Sequence, residues 1–257
     1  MLPPPVVTNA SPFLRQDSLL FFPVKTNPAL ARQWRERRVE IRSGGTLLEG
    51  WWAENPERSG SPVVLYFGGN AEDVLYAAES ARELHARRLL VICYRGYGGS
   101  QGKPSQAALY QDGLAVYDWA VRQPGVAPED LVVFGRSLGS SVATYLAAHR
   151  PVRAAILVTP FDSMTEVAGR HYPIFPIRLL IRNPFPSTEH ARRAHVPVLV
   201  IAGGRDDIIP AEHAERLLQA WAGPKEMHLL AGAGHNDIEG DPEYDPAING
   251  FLDQLRR

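Results

Sequence analysis

The chain has 257 residues, 45% of them hydrophobic and 21% charged, with a formal net charge of −1. That balance is globular and excludes a disordered chain, and with no basic excess nothing calls for a nucleic acid or an anionic membrane surface. The single cysteine, Cys93, excludes an internal disulfide framework, and no run of about 18 apolar residues is present to cross a membrane.

Residues 1–28 are rich in proline and carry Phe13, Phe21 and Phe22. They are expected to form an extended arm with one short helix at most, lying on the rest of the chain. Met1-Leu2-Pro3-Pro4-Pro5 lacks the charged region and apolar core of a secretory signal, so a cytoplasmic protein is expected. Val39 to Arg42 and Thr46 to Ala53 flank Ser43-Gly44-Gly45, a hairpin signal. From Val63 the pattern alternates. Val63 to Phe67, Leu89 to Cys93, Leu131 to Phe134, Ala154 to Val158, Val198 to Ala202 and Glu226 to Leu230 read as strands. Asp73 to Arg88, Ser105 to Arg122, Ser137 to His149, Ala211 to Ala222 and Pro242 to Arg256 read as helices. Continuous apolar strands alternating with helices predict an α/β architecture: a mostly parallel sheet covered on both faces, with an antiparallel N-terminal edge. No internal repeat or low-complexity linker interrupts it, so residues 1–257 are expected to form one domain. Cys93, inside an apolar run, reads as a buried strand thiol.

Residues 162–195 break the alternation. A long connection in a compact domain is usually functional, and this one carries Ile174, Phe175, Ile177, Leu179, Leu180 and Ile181. It reads as a small lid, with Phe175, Ile177 and Leu180 as candidate substrate-binding residues in one wall of an acyl pocket. The plainer reading is a surface helix packed on the core.

Two segments match Gly-x-Ser-x-Gly: Gly98 to Gly102 around Ser100, and Gly135 to Gly139 around Ser137. A nucleophile in this pattern needs a sharp turn between a strand and a helix, which lifts its hydroxyl and places a helix N-terminus under the developing negative charge. Ser137 has the strand before it and the helix after it. Ser100 is followed by Lys103-Pro104, and a residue before proline is pushed out of helical geometry. Ser137 is therefore the candidate nucleophile.

A serine hydroxyl needs a base, and the base an orienting carboxylate. On such turns the partners follow in the order Ser, acid, His. Of the histidines after Ser137, His235 alone stands in a glycine-rich loop after a late strand. His213 falls in a predicted helix and His228 in a predicted strand, where structural or solvent-facing roles suit them better. The acid is expected after Val198 to Ala202, where Asp206 and Asp207 compete. Spacing to Ile208, Ile209 and Pro210 favours Asp206, and Asp162 is the reserve. Two backbone N–H groups are needed to hold an oxyanion. Leu138 supplies one, and the loop after Val63 to Phe67 supplies the other from Asn70, with Gly69 next.

At these residues the chain resembles the Bem46-like branch of the α/β-hydrolase superfamily, from about Gln16 to Phe251. The resemblance is carried by Gln16 to Pro23, Gly69 to Asp73, Tyr94 to Ser100, Gly135 to Gly139, Gly204-Arg205-Asp206 and Gly232 to Asp237. It implies the α/β-hydrolase fold and the trio Ser137, Asp206 and His235. It also places Gly98 to Gly102 in a structural loop. Two departures stand out. Relatives carry His-Gly-Asn where this chain has Gly68-Gly69-Asn70, and commonly an aspartate where Cys93 stands. The resemblance implies acyl transfer to water but leaves the substrate poorly defined, since relatives act on acyl esters, thioesters or lipids. The trio points to a small-molecule acyl ester with no metal or organic cofactor, and the charge gives no sign of nucleic acid. The small size of the 162–195 insertion points to a short to medium acyl chain. A thioesterase or peptidase using the same trio is the rival enzyme. A catalytically silent interaction protein on the same scaffold is the rival of another class. The oligomeric state stays open.

Overall fold

The computed structural model describes residues 20–172, 174 and 176–256. The first nineteen residues of the expected arm, and Pro173 and Phe175 of the expected lid, lie outside them. From Phe21 to Asn27 the arm has no regular secondary structure, and Phe21 is buried in the core. It ends in a short helix, α1 (Pro28–Gln33), whose first amides are capped by the Asn27 side chain.

The hairpin β1 (Arg38–Ser43) and β2 (Thr46–Glu54) turns tightly, with Ser43 opposite Thr46 and Gly44 at φ +59°. Then come β3 (Val63–Phe67), α2 (Leu75–Glu79), β4 (Arg88–Ile92), α3 (Gln106–Ala120) and β5 (Leu131–Arg136). They are followed by α4 (Leu138–His149), β6 (Ala154–Val158), α5 (Met164–His171), α6 (Ile177–Leu180) and α7 (Ser187–Ala191). The chain closes with β7 (Val198–Gly203), α8 (Ala211–Ala220), β8 (Lys225–Leu230) and α9 (Tyr244–Gln254). Among the described residues eight strands form one sheet in the order β1-β2-β4-β3-β5-β6-β7-β8. The first three pair antiparallel and the remainder parallel.

The apolar runs lie where their composition requires. β3, β6 and β7 are buried along their whole length, and β5 all but its last residue, because helices cover both faces. The outer strands β1 and β8 alternate or stay partly wet. The chain leaves β3 for β4 on one side and returns to β5 on the other. That reversal opens a crevice at the carboxyl ends of β3 and β5, the usual place for a site in an open α/β sheet. Their register pairs Phe67 with Gly135, so the Gly68 to Asn70 loop and the Ser137 turn leave the sheet side by side.

Two expectations change. The helix predicted from Asp73 to Arg88 is confined to Leu75–Glu79 and a 3-10 turn, Ser80–Arg82. Asn249 on α9 takes its place in the hydrogen bonding: its Oδ1 accepts the His85 amide at 2.8 Å and its Nδ2 donates to Glu83 O at 3.1 Å. Backbone groups that a longer helix would satisfy are satisfied from another element. The connection 162–195 is not loop throughout, since α5, α6 and α7 lie within it.

Candidate active site

Ser137 sits between β5 and α4 at φ 50°, ψ −114°, a conformation that costs a non-glycine residue about 1–3 kcal/mol. The surroundings hold it there. Its amide donates to Val158 O at 2.9 Å, and its carbonyl accepts from Ser140 N at 3.0 Å and Ser140 Oγ at 2.6 Å. The flanking glycines are required by contact: a Cβ on Gly139 would stand 1.9 Å from Phe67 O, and one on Gly135 2.2 Å from Gly139 O. The α4 N-terminus begins at Leu138, and the Ser137 side chain makes no cap bond to it.

The structure brings Ser137, His235 and Asp206 together across 98 and 29 residues of chain. His235 Nε2 lies 3.0 Å from Ser137 Oγ, and His235 Nδ1 lies 2.7 Å from Asp206 Oδ2. All three are buried. The other Asp206 oxygen accepts the amides of Ile208 at 3.0 Å and Ile209 at 2.7 Å, which fixes the carboxylate in place. Asp207 beside it is exposed. Asp162, the reserve acid, is engaged elsewhere: Oδ1 is 2.7 Å from His213 Nδ1 and accepts from Ser163 N, and Oδ2 accepts from Arg216 Nε at 2.5 Å. Burial pushes its carboxyl up, but the bonds to His213, Arg216 and the Ser163 amide outweigh that and hold it below the ordinary range.

Ser100 is also spent. Its hydroxyl donates to Cys93 O at 2.7 Å and accepts from Glu49 N at 2.8 Å, so it ties the 94–102 loop to β2. Cys93 is buried, and burial pushes its thiol up to about 12.

Of the two expected donors on the 68–70 loop, Gly69 is committed, since its amide donates to Glu72 Oε2 at 2.6 Å. The loop is close to the turn: a Cβ on Gly69 would lie 3.7 Å from that of Ser137. The Asn70 side chain faces the arm, not the serine. Its Nδ2 donates to Leu20 O at 2.6 Å, and its Oδ1 accepts from Phe22 N at 2.9 Å and Tyr97 Oη at 2.6 Å. Gly68, where relatives carry histidine, has its Cβ position 2.6 Å from Val74 Cγ1 and 3.1 Å from the Glu72 carboxylate.

In the expected lid, α6 presents Leu180 at 37% exposure with Ile177 half-buried, and Ile174 is 90% exposed. Phe175 lies outside the described residues. The base of the segment is anchored: Phe185 is fully buried against Phe21, Tyr110 and Phe161. His171 Nε2 lies 2.9 Å from Ile208 O on the Asp206 loop.

Residue-by-residue reading passed over one cluster. The Arg136 guanidinium donates to His235 O at 3.1 Å and to Glu72 Oε2 at 3.4 Å, and its Nε lies 3.1 Å from Glu239 Oε1. Glu72 also accepts from Tyr66 Oη at 2.7 Å. The available signal was a cation inside Gly-Arg-Ser and a carboxylate two residues after Asn70; nothing in their spacing says that they meet.

A model of the serine hydrolase family matches residues 118–252. An uncharacterized protein of Mycobacterium tuberculosis is 42% identical over 251 residues, 95% of this chain and 86% of that one. Human alpha/beta hydrolase domain-containing protein 17B is 31% identical over 197 residues, 75% of this chain and 66% of that one. Among solved structures, an esterase of Pyrococcus furiosus matches with a TM-score of 0.69 at 19% identity, covering 99% of each chain. A Butyrivibrio proteoclasticus protein solved with ferulic acid bound matches with a TM-score of 0.66 at 18% identity, covering 84% of this chain and 98% of that one. At those identities the likeness is one of fold. With the family match over more than half of the chain and a relative matched nearly end to end, this chain belongs to the serine hydrolase family and has the α/β-hydrolase fold.

Proposed function

We propose that this serine hydrolase cleaves carboxylic esters of short to medium acyl chain through an acyl-enzyme on Ser137. One observation carries the reading: the continuous contact from Ser137 Oγ through the His235 ring to Asp206, built on a strained strand–helix turn. His235 Nε2 takes the serine proton as Oγ attacks the ester carbonyl. The Leu138 and Asn70 amides hold the oxyanion. Asp206 orients the ring and stabilises the imidazolium. The alkoxide leaves with the proton from His235, and a water activated by the same nitrogen then releases the acid. We read residues 1–257 as one catalytic unit, because the serine, histidine and aspartate all come from loops of a single sheet.

The lid is proposed to supply one wall of the acyl pocket through Phe175, Ile177 and Leu180. Each methylene held there contributes up to ~0.8 kcal/mol, a gain that ends with the pocket. Exposed apolar surface on α6 and at Ile174 supports this.

The test is labelling by a fluorophosphonate, followed by turnover on acyl esters of increasing length beside matched thioesters and amides. Wild type and Ser100→Ala should label and turn over, and Ser137→Ala should do neither. An unlabelled wild type would instead favour the silent scaffold, and preference for thioester or amide would move the substrate class. Leu180→Ala should flatten the chain-length profile; an unchanged profile removes α6 from the pocket.

A further inference from the structure

The three loops of the candidate site share a partly buried ionic cluster on which the proposed reaction makes no direct demand. Arg136 precedes Ser137, and its side chain is 12% exposed. It donates to the carbonyl of His235 and to Glu72, and the same Glu72 oxygen accepts the Gly69 amide. A Cβ on Gly69 would come within 2.9 Å of Arg136 Nη1, so the guanidinium lies directly against that loop. Glu72 is 17% exposed, while Glu239, the second carboxylate on Arg136, is 57% exposed.

A guanidinium presents donors in a fixed planar fork and can serve two loops at once, which a lysine ammonium does on a flexible stem and with less geometric control. The bond to His235 O fixes the backbone from which the imidazole reaches Ser137. The bond from Gly69 N to Glu72 fixes the residue before Asn70. The Gly69–Asn70 peptide carries the Asn70 N–H, and glycine would otherwise let it turn. Its far side is held independently, by the Asn70 side chain on Leu20, Phe22 and Tyr97.

We infer that Arg136 and Glu72 are positioning residues, a single brace that sets the Asn70 amide and the His235 ring relative to Ser137. The inference rests on the reading of Ser137, His235 and Asp206 as the catalytic trio. A misplacement of about 1 Å in such a group can cost roughly a hundredfold in rate. Because the two residues act through one contact, their losses overlap instead of multiplying.

The experiment measures fluorophosphonate phosphonylation, resolved into its maximal rate and half-saturation, in wild type, Arg136→Lys, Glu72→Gln and the double variant. Melting temperatures are recorded alongside. Ser137→Ala is the blank, and Arg150→Lys, whose ion pair with Asp118 lies beyond the far end of α4, controls for the loss of an arginine pair. Each single variant should lose about ten- to a hundredfold in maximal rate with half-saturation within about threefold of wild type. The double should fall no more than about threefold below the slower single. Single variants within about twofold of wild type, or a double whose loss equals the product of the two, overturn the brace. Losses that appear equally in Arg150→Lys, or that follow melting temperature alone, overturn it as well. An unlabelled wild type overturns the trio and the brace together, whereas a labelled wild type with unaffected variants overturns the brace alone.

Discussion

The Asp162 carboxylate stands 2.7 Å from His213 Nδ1, and Arg216 closes on its other oxygen. Among the described residues two aspartate–histidine pairs are thus buried, and a serine hydroxyl stands at the far nitrogen of His235. Two Asp–His contacts of equal length therefore separate by what lies beyond the ring. Asp206→Asn should lower kcat by as much as about 10⁴-fold with little change in melting temperature, since the amide no longer holds the imidazole in its working tautomer. Asp207→Asn should leave kcat within about twofold, because its side chain is in water. Asp162→Asn should leave kcat within a few-fold while lowering stability. Steady-state kinetics on the three folded variants decides the matter; a larger kcat loss in Asp162→Asn than in Asp206→Asn reverses the assignment.

The same pair predicts a pH dependence of stability. The Asp162 carboxyl is held below its ordinary value in the folded chain, so its stabilisation is complete above the unfolded pKa of about 3.9 and is lost as pH falls through the folded value. Asp162→Asn should cost roughly 1–3 kcal/mol at neutral pH, where it removes the carboxylate charge from a site held by His213 and Arg216. The gap between wild type and variant should narrow below about pH 4. Denaturation midpoints across pH measure it. A gap that stays constant down to the acid limit would show that the carboxyl titrates normally in the fold.

Gly139 has no room for a methyl group, since its Cβ position lies 1.9 Å from Phe67 O on the neighbouring strand. Gly139→Ala should destabilise by at least about 3 kcal/mol, because backbone on both sides must move. Gly232→Ala, in the loop that carries His235, meets nothing within 4 Å and should fall within about 1 kcal/mol of wild type. Chemical denaturation of the pair tests the packing of α4 on β3; equal stability would mean that the turn can relax.

Burial pushes the Cys93 thiol up to about 12. The reactive form is the thiolate, so at pH 8 only on the order of one molecule in ten thousand carries it. Iodoacetamide should leave the native chain unmodified by mass spectrometry and modify it fully after unfolding. Activity should be insensitive to thiol reagents. Rapid stoichiometric alkylation of folded protein would contradict the burial.

Much of this architecture is visible along the chain because its causes are local. A strand covered on both faces must be apolar throughout, as Val63 to Phe67 and Ala154 to Val158 are. A strained turn packed against a neighbouring strand needs small neighbours, as Gly135 and Gly139 provide around Ser137. A helix opens where a side chain can cap it, as Ser105 does for α3. Each rule acts over a few residues and leaves its mark in their order. Where a local rule failed, a distant group had intervened: Asn249 took the backbone bonds that would have extended α2 past Glu79.

The sequence by itself determined the sheet, the turn that carries Ser137, and the short set of histidines and aspartates from which its partners had to come. Only the tertiary structure decided which of them meet. Asp206 faces His235 and Asp162 faces His213 because β6 and β7 deliver their carboxyl ends to different neighbours. Arg136 finds Glu72 and His235 O because the chain reverses between β3 and β5. The arm reaches Asn70 because Phe21 is drawn into the core beside Phe185. Hydrophobic burial chooses the strands from composition alone, but hydrogen bonds and ion pairs require contact within about 3 Å. Whether two side chains tens of residues apart come that close is settled by strand order and register, which no local pattern encodes.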